Sequence, residues 1–279
     1  MLQDFSPVKM SDLNRPNGDA PLVSIIVTTF NRVNLLAKTL DSILAQSCRD
    51  FELIVVDNMS EDGTAAFVAS INDTRVLYYG NSNNGVIAIN RNYGISRAKG
   101  HYVAFCDDDD LWLPDKLKTQ IDILTKNPAI ALCYSNAESF DNNGTISQQM
   151  FRRLVNKNHF FHLLQGNYIP NSSVLILRTV FLELGLLSEN TIIREDYDMW
   201  LRVSNTYPII GVNAPLIRYR VHPGNAAGNR AVETLRAIRT LKSVTNVLNT
   251  KLHLVMFGLF VQYSKYLIYK SLSLCRVNM

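Results

Sequence analysis

Residues 101–112, HYVAFCDDDDLW, run an apolar segment directly into four consecutive aspartates. Adjacent carboxylates repel one another, and a fold gains nothing by crowding them at the end of a buried strand. Two readings are open: a solvated loop of no consequence, or a turn that holds something positive. Carboxylates one residue apart on a turn suit a hard divalent cation such as Mg²⁺ or Mn²⁺, which takes oxygen ligands and keeps positions open for phosphate oxygens. An EF-hand is excluded, because no glycine and glutamate follow at its offsets. A second acidic group, Glu195, Asp196 and Asp198 in REDYDMWLRV, falls within one helical turn. Acids there complement a helix N-terminus; beside a metal site, one of them is a candidate general base. Asp57 closes another apolar run, a place where a turn-forming aspartate is common. His222, in YRVHPGN, is structural if it stands alone and a neutral imidazole ligand if a metal is near.

These side chains need a frame, and the pattern of the chain supplies one. LVSIIVTT, FELIVVDN, RVLYYG and HYVAFC read as strands, separated by helical patterns over 33–46, 60–71 and 85–100. Strands that are almost continuously apolar and alternate with helices predict a parallel sheet covered on both faces. Ligands of such sheets bind beyond the carboxyl ends of the strands, so Asp57 and Asp107 fall on one rim. Further along, LPDKLKTQIDILTKNP predicts a helix with Pro114 in its first turn, and AIALCYS a strand. Residues 136–170 are irregular, with DNNG marking a turn. SSVLILR predicts a strand, TVFLELG a short helix stopped by Gly185, REDYDMWLRVSNTYP a helix, and PIIGVNAPLIRYRVH two short strands.

The 279 residues are 47% hydrophobic and 19% charged, with a net charge of +4. That charge is unevenly placed. From residue 226 onward eight Lys/Arg face one acid, Glu233, a balance of +7; the remainder holds 20 basic and 23 acidic residues, −3. A cationic tail suggests an anionic surface as partner. Its most apolar part, Leu254 to Val261, is about eight residues, against roughly 20 for a membrane span, so it predicts an interfacial helix or a hairpin packed on the body or in a homodimer contact. No exposed aromatics alternate with its cations, which argues against nucleic acid. Four cysteines without CxxC spacing read as reduced thiols of a cytoplasmic protein. Residues 1–20 lack an apolar signal core and read as a disordered leader.

Five segments together resemble glycosyltransferase family 2, the inverting nucleotide-sugar-dependent enzymes of the GT-A fold: PLVSIIVTTFNR, ELIVVDNMSEDGT, NNGVIAINRNYGISRAKGHYVAFCDDDDLWLPDKL, LGLLSEN with REDYDMWLRV, and YRVHPGN. The resemblance implies an α/β GT-A (Rossmann-like), mostly parallel sheet flanked by helices. A catalytic domain would span 21–225, with a nucleotide-binding half to 110 and an acceptor half from 111, followed by a helical tail over 226–279. It implies that Thr29 and Asp57 hold the nucleoside, with Asn84 and Arg91 lining the same cleft. Asp107 would contact the ribose and donor sugar, Asp108 would lie between, and Asp109 would bind Mn²⁺ or Mg²⁺. Asp196 would be the base and His222 would approach the metal or diphosphate, while Trp200 and Arg202 would be scaffold. Partners would be a nucleotide-sugar donor, of which UDP-sugars are the commonest, and a glycan or lipid-linked acceptor in bacterial surface polysaccharide assembly. Processive members carry Gln-x-x-Arg-Trp and membrane spans; this sequence has no such motif, which implies one sugar added per encounter. The tetrad lets the DXD register slide, so Asp108 and Asp110 stay open as ligands. A nucleotidyltransferase would want a Gly-rich basic loop after the first strand, and TTFNRVN has no glycine; intact acidic motifs argue against an inactive GT-A binding module. The expected location is cytoplasmic, peripheral on the inner face of the cell membrane.

Overall fold

The computed structural model describes residues 20–141, 144, 146–149, 157–221, 230–245 and 252–277. Most of the expected leader, and His222, lie outside the described residues. Strands β1 (Val23–Thr29), β2 (Phe51–Asp57), β3 (Val76–Gly80) and β4 (Tyr102–Asp107) form a parallel half-sheet in the order β3-β2-β1-β4. Every residue of β1 and β2 is buried, because helices cover both faces. Alternate side chains divide between two cores. Ile26, Ile54, Val103 and Phe105 point into one, with Ile95 of α3 (Ile87–Arg97) and Trp200 of α7 (Glu195–Thr206). Ile25, Val27, Leu53 and Val55 point into the other, with Leu36 and Leu40 of α1 (Val33–Leu44) and Leu117 of α4 (Lys116–Lys126). The period-two alternation of a strand thus packs both faces of one sheet. A short helix, α2 (Thr64–Ala69), links β2 to β3.

The second half is mixed. β4 is followed by the two-residue β5 (Leu111–Trp112), and the sheet continues through β8 (Leu175–Leu177), β6 (Leu132–Phe140) and β9 (Ile209–Arg220). β8 runs antiparallel to β4 and β6, β9 parallel to β6, and β7 (Ile146–Gln149) pairs with β6 at the side. The two short strands expected over 208–222 are one strand. Pairing with β6 slips where Ser135 faces Val212 and Asn136 faces Pro215, leaving Asn213 and Ala214 exposed. Proline has no N–H to give the ladder, so the chain bulges there and then resumes. β6 likewise runs on to Phe140, into the stretch expected to be irregular.

Between the strands lie α5 (His159–Leu164), a single 3₁₀ turn (Asn171–Ser173), and α6 (Thr179–Leu184). Arg202 of α7 pairs with Asp198 at 2.7 Å and donates to the carbonyls of Leu184 and Leu186, tying α7 to the exit of α6. Asp198 is taken up by that clasp, and Trp200 is fully buried. The tail folds into α8 (Arg230–Thr245) and α9 (Leu252–Val277). Ala237, Leu241 and Val244 of α8 and Val255 of α9 enter the first core, and Phe257 stacks on Phe161 with ring centroids 5.5 Å apart. Among the described residues no helix is long and apolar enough to cross a membrane.

Lys116 is fully buried at the start of α4, its ammonium 3.9 Å over the Trp112 ring and donating to Gln120 Oε1 at 2.9 Å. Burial pulls its pKa down to about 7 from 10.5. Between those values the unfolded chain carries a proton that the folded chain has shed, so this residue makes stability rise with pH across that window. Lys116→Met removes the rise: measured by urea unfolding, the advantage of the parent over the variant should grow between about pH 7 and 10. A difference independent of pH would contradict the burial of an ionisable ammonium there.

Candidate active site

The four aspartates leave β4 on a turn, and each meets a different element. Asp107 Oδ1 accepts from Arg91 Nη2 at 2.6 Å and from Asn171 Nδ2 at 3.0 Å, while its backbone N–H donates to Ser172 Oγ. Asp108 turns back into the fold, accepting from the Thr29 hydroxyl at 2.8 Å and from Arg32 Nη1 at 3.1 Å. Burial, the largest influence, pushes its pKa up to about 6 against the pull of Arg32 and Thr29. Asp109 Oδ2 lies 3.3 Å from the same Arg32 nitrogen. Asp110 points inward: it is 1% exposed, its two oxygens accepting from Ser172 Oγ at 2.6 Å and from the Arg220 N–H at 3.0 Å. Burial, with Asp107 and Asp109 nearby, raises its pKa far above the carboxylate range. With both oxygens taken up by the protein, Asp110 does not line the cleft in front of the turn.

Backbone contacts hold the turn from behind. The Thr39 hydroxyl of α1 reaches the carbonyls of Asp108 and Asp110 at 3.0 and 2.8 Å, and Arg220 Nε the carbonyl of Asp109 at 2.9 Å. In front lies a cleft of about 450 Å³, lined by Asp107, Asp108 and Asp109 on one wall and by Arg194, Glu195 and Asp196 on the other. Arg91 of α3 joins the walls, bonding Glu195 Oε1 at 2.5 Å as well as Asp107. Burial weakens its hold on a proton, but Asp107 and Glu195 outweigh that and keep its pKa above the ordinary value. Burial raises the pKa of Glu195 even against Arg91. Asp196 Oδ2 accepts from Asn167 Nδ2 at 2.9 Å and Oδ1 from the Tyr197 N–H at 2.7 Å, with Arg194 Nε at 3.9 Å.

The structure therefore gathers Arg91, Asp107, Asp108, Asp109 and Asp196 around one cleft. It does not bring the other expected nucleoside contacts to that cleft. Thr29 stands behind Asp108, and Asp57 is fully buried, taking the Ser60 hydroxyl at 2.5 Å and the Tyr78 hydroxyl at 2.7 Å. Asn84 is exposed at a positive φ of 50°, and the cleft is lined instead by its neighbours Gly85 and Val86. Several lining residues went unread in the sequence. Arg32 has a signal, a cation just past the rim of β1. Glu233 and Arg236 of α8 reach the cleft too, Glu233 pairing with Arg194 at 3.0 Å; as the lone acid of a basic tail, Glu233 stood out. Asn167 and Asn171 carry neither charge nor periodicity, and nothing marked them.

The acidic turn suits a divalent cation. Asp107 is about one-third exposed and keeps Oδ2 without a hydrogen bond among the described residues, while Asp109 faces the cleft beside it. No group of three or more His, Cys, Asp or Glu gathers among the described residues to hold a metal by protein ligands alone. One or two carboxylates with the remaining positions left to water and phosphate oxygens is the usual arrangement for Mg²⁺ and for Mn²⁺ bound with a nucleotide.

Residues 24–182 match the model of the family described as Glycosyl transferase family 2. An uncharacterized glycosyltransferase of Rickettsia typhi, RT0329, is 30% identical over 235 residues, 82% of this chain and 73% of its own. WfgD of Escherichia coli, a UDP-Glc:alpha-D-GlcNAc-diphosphoundecaprenol beta-1,3-glucosyltransferase, is 30% identical over 220 residues, 78% of this chain and 84% of its own. Among solved structures, S. aureus TarS with UDP-GlcNAc superposes with a TM-score of 0.69 at 18% identity, covering 88% of this chain and 72% of that one. The mannosyltransferase PcManGT of Pyrobaculum calidifontis, in complex with GDP-Man and Mn²⁺, gives 0.61 at 18% identity over 88% and 74%. At such identities the likeness speaks for the fold.

Arg91→Met leaves Asp107 and Glu195 without their shared cation. Because Arg91 is buried while Asp107 is partly solvated, the expected cost is about 3 kcal/mol, the lower end for breaking a buried pair. Denaturant unfolding without ligand measures it; a loss within experimental scatter would mean that the bridge contributes nothing.

Proposed function

Because the chain belongs to glycosyl transferase family 2, and is a glycosyltransferase of the GT-A fold, we propose that it moves one sugar per encounter from a nucleoside-diphosphate donor, with inversion, to a hydroxyl of a lipid-linked acceptor in bacterial surface polysaccharide assembly. The observation that carries this reading is the pairing of Asp196 with the acidic turn across one cleft. A base on one wall and an anion-balancing centre on the other suit a single in-line displacement: the acceptor hydroxyl enters from the Asp196 side while the nucleoside diphosphate departs past Asp107 and Asp109. One displacement at the anomeric carbon inverts it.

Asp196 takes the hydroxyl proton as the new bond forms. Arg91 keeps Asp107 and Glu195 in place on either side of the reacting atoms, and Asp107 meets the ribose and donor sugar. Arg32, 43% exposed and held through a single nitrogen, brings a cation to the mouth of the diphosphate site. Asp109, with Asp107 beside it, would hold a divalent cation, Mn²⁺ or Mg²⁺, whose Lewis acidity would neutralise charge growing on the leaving diphosphate. Support for a UDP-sugar donor comes from the donor in WfgD's name and the ligand bound to TarS; support for the lipid-linked acceptor comes from the substrate in WfgD's name.

The tail fits an acceptor carried in a membrane. One side of α9 packs on the body, and the other exposes Met256, Phe260, Tyr263 and Leu267 as a stripe at helical spacing. Lys242 of α8 stands 5.5 Å from the Tyr263 ring, so cations flank the apolar ridge. An apolar stripe beside cations suits the inner leaflet of the cell membrane, giving a cytoplasmic, peripheral enzyme. Binding to anionic vesicles should weaken with salt and be lost in Phe260→Glu/Leu267→Glu; absence of vesicle binding at every ionic strength would rule the surface out.

A thermal-shift series with UDP, Mn²⁺ and both together tests the donor site, because a ligand of the native state raises apparent stability by mass action. The combination should raise the Tm most, and Asp109→Asn should abolish the gain due to Mn²⁺. Asp196→Asn should keep that gain while transfer falls by about 10²–10⁴-fold. Unimpaired transfer in Asp196→Asn would remove the base from this account.

A further inference from the structure

The segment Asn167–Ser172 touches three carboxylates, two of them in the lining of the cleft. Asn167 donates to Asp196 at 2.9 Å, Asn171 to Asp107 at 3.0 Å and Ser172 to Asp110 at 2.6 Å. Asn167 is itself fixed: its Oδ1 accepts from the Ile169 N–H at 3.1 Å, which leaves the amide N–H₂ facing the carboxylate. Rotation of a carboxylate about its last bond is soft, and the Tyr197 N–H holds only the other oxygen of Asp196. The Asn167 amide is thus the group that sets which lone pairs Asp196 turns to an incoming hydroxyl.

The residues just before Asn167 rest on the tail. Lys265 of α9 donates to the Gln165 carbonyl at 2.6 Å. Gly258 lets α9 touch the end of α5: a Cβ there would lie 2.8 Å from Leu164 Cβ and 2.9 Å from its carbonyl oxygen. Gly166, at φ +145°, has Gln262 Nε2 within 3.6 Å of the place a Cβ would take. The Tyr197 hydroxyl of α7 also donates to the Leu163 carbonyl, so the base's own helix is moored to the same chain exit. A continuous path of contacts runs from α9, through Gln165 and Gly166, to Asn167 and the Asp196 carboxylate.

We propose that Asn167 is the positioning residue of the base, and that the docking of α9 through Lys265 on the Gln165 carbonyl sets the loop from which Asn167 reaches it. The tail is then part of the catalytic apparatus: loosening α9 slackens the aim of Asp196 without disturbing the donor site. This rests on Asp196 being the base.

The test is steady-state transfer from UDP-glucose to a synthetic N-acetylglucosaminyl diphospholipid, with Asn167→Ala, Lys265→Met, the double variant and Asp196→Asn, alongside unfolding and UDP–Mn²⁺ binding for each. Asn167→Ala should lower kcat by about 10- to 100-fold with the KM for UDP-glucose and UDP binding unchanged. Lys265→Met keeps the aliphatic stem and should show a smaller loss of the same kind. The double variant should be no slower than Asn167→Ala alone, because Lys265 acts through Asn167. Lys265→Arg, which keeps a donor for the Gln165 carbonyl, should restore most of the parent kcat. Losses that multiply in the double variant, a KM for UDP-glucose that rises with the fall in kcat, or parent-like kcat in Asn167→Ala would each overturn the proposal. If Asn167→Ala does not fold, Lys265→Met and its arginine counterpart still decide it: a parent-like kcat in Lys265→Met overturns it. Parent-like transfer in Asp196→Asn would instead overturn the assignment of the base itself.

Discussion

Electrostatic repulsion within the Asp107–Asp110 turn is the constraint that the rest of the molecule answers. Unit charges about 4 Å apart at an effective dielectric of about 20 repel by roughly 4 kcal/mol, so four ionised neighbours could not sit at a strand end unaided. The fold separates them by fate. Asp110 is buried between the Ser172 hydroxyl and the Arg220 N–H, Asp108 is turned back toward Thr29 and Arg32, Asp107 is matched by Arg91 and Asn171, and Asp109 stands beside the cleft. Thr39 and Arg220 hold the carbonyls of the turn from behind. Charges fixed in advance cost little to reorganise when new charge develops beside them.

That arrangement draws on elements far apart in the chain. The parallel half supplies the turn itself and Arg91; the mixed half supplies the opposing wall on α7 and, through β9, the Arg220 contacts that seal Asp110 and the Asp109 carbonyl. The tail closes the circle. Glu233 of α8 pairs with Arg194, which stands next to Asp196, so the lone acid of a strongly basic segment is used at the cleft. The −3 body and +7 tail are thus joined at the site as well as in the overall balance of charge.

The parallel half was readable because its strands are buried on both faces and its helices carry a 3.6-residue apolar period; those signals are strong and local. Asp107–Asp110 and Asp196 were readable for a related reason, since crowded charge is conspicuous beside buried segments. β9 was not, because the Asn213–Pro215 bulge looks like a break until its partner strand is known. Asn167 and Asn171 were invisible: neutral amides in a stretch without periodicity acquire meaning only from the carboxylates that the fold brings to them. Asp57 illustrates the converse. Its strand-end position is as expected, yet Ser60 and Tyr78 occupy its carboxylate, a detail set by side chains on neighbouring elements.

Anomalous diffraction from crystals soaked with Mn²⁺ and UDP tests the central claim most directly. The account expects a single strong manganese peak in contact with Asp109, with the nucleotide beside it and the Asp196 carboxylate facing it across the cleft. A nucleotide seated with no metal between it and the turn, or manganese bound away from Asp109, would contradict it.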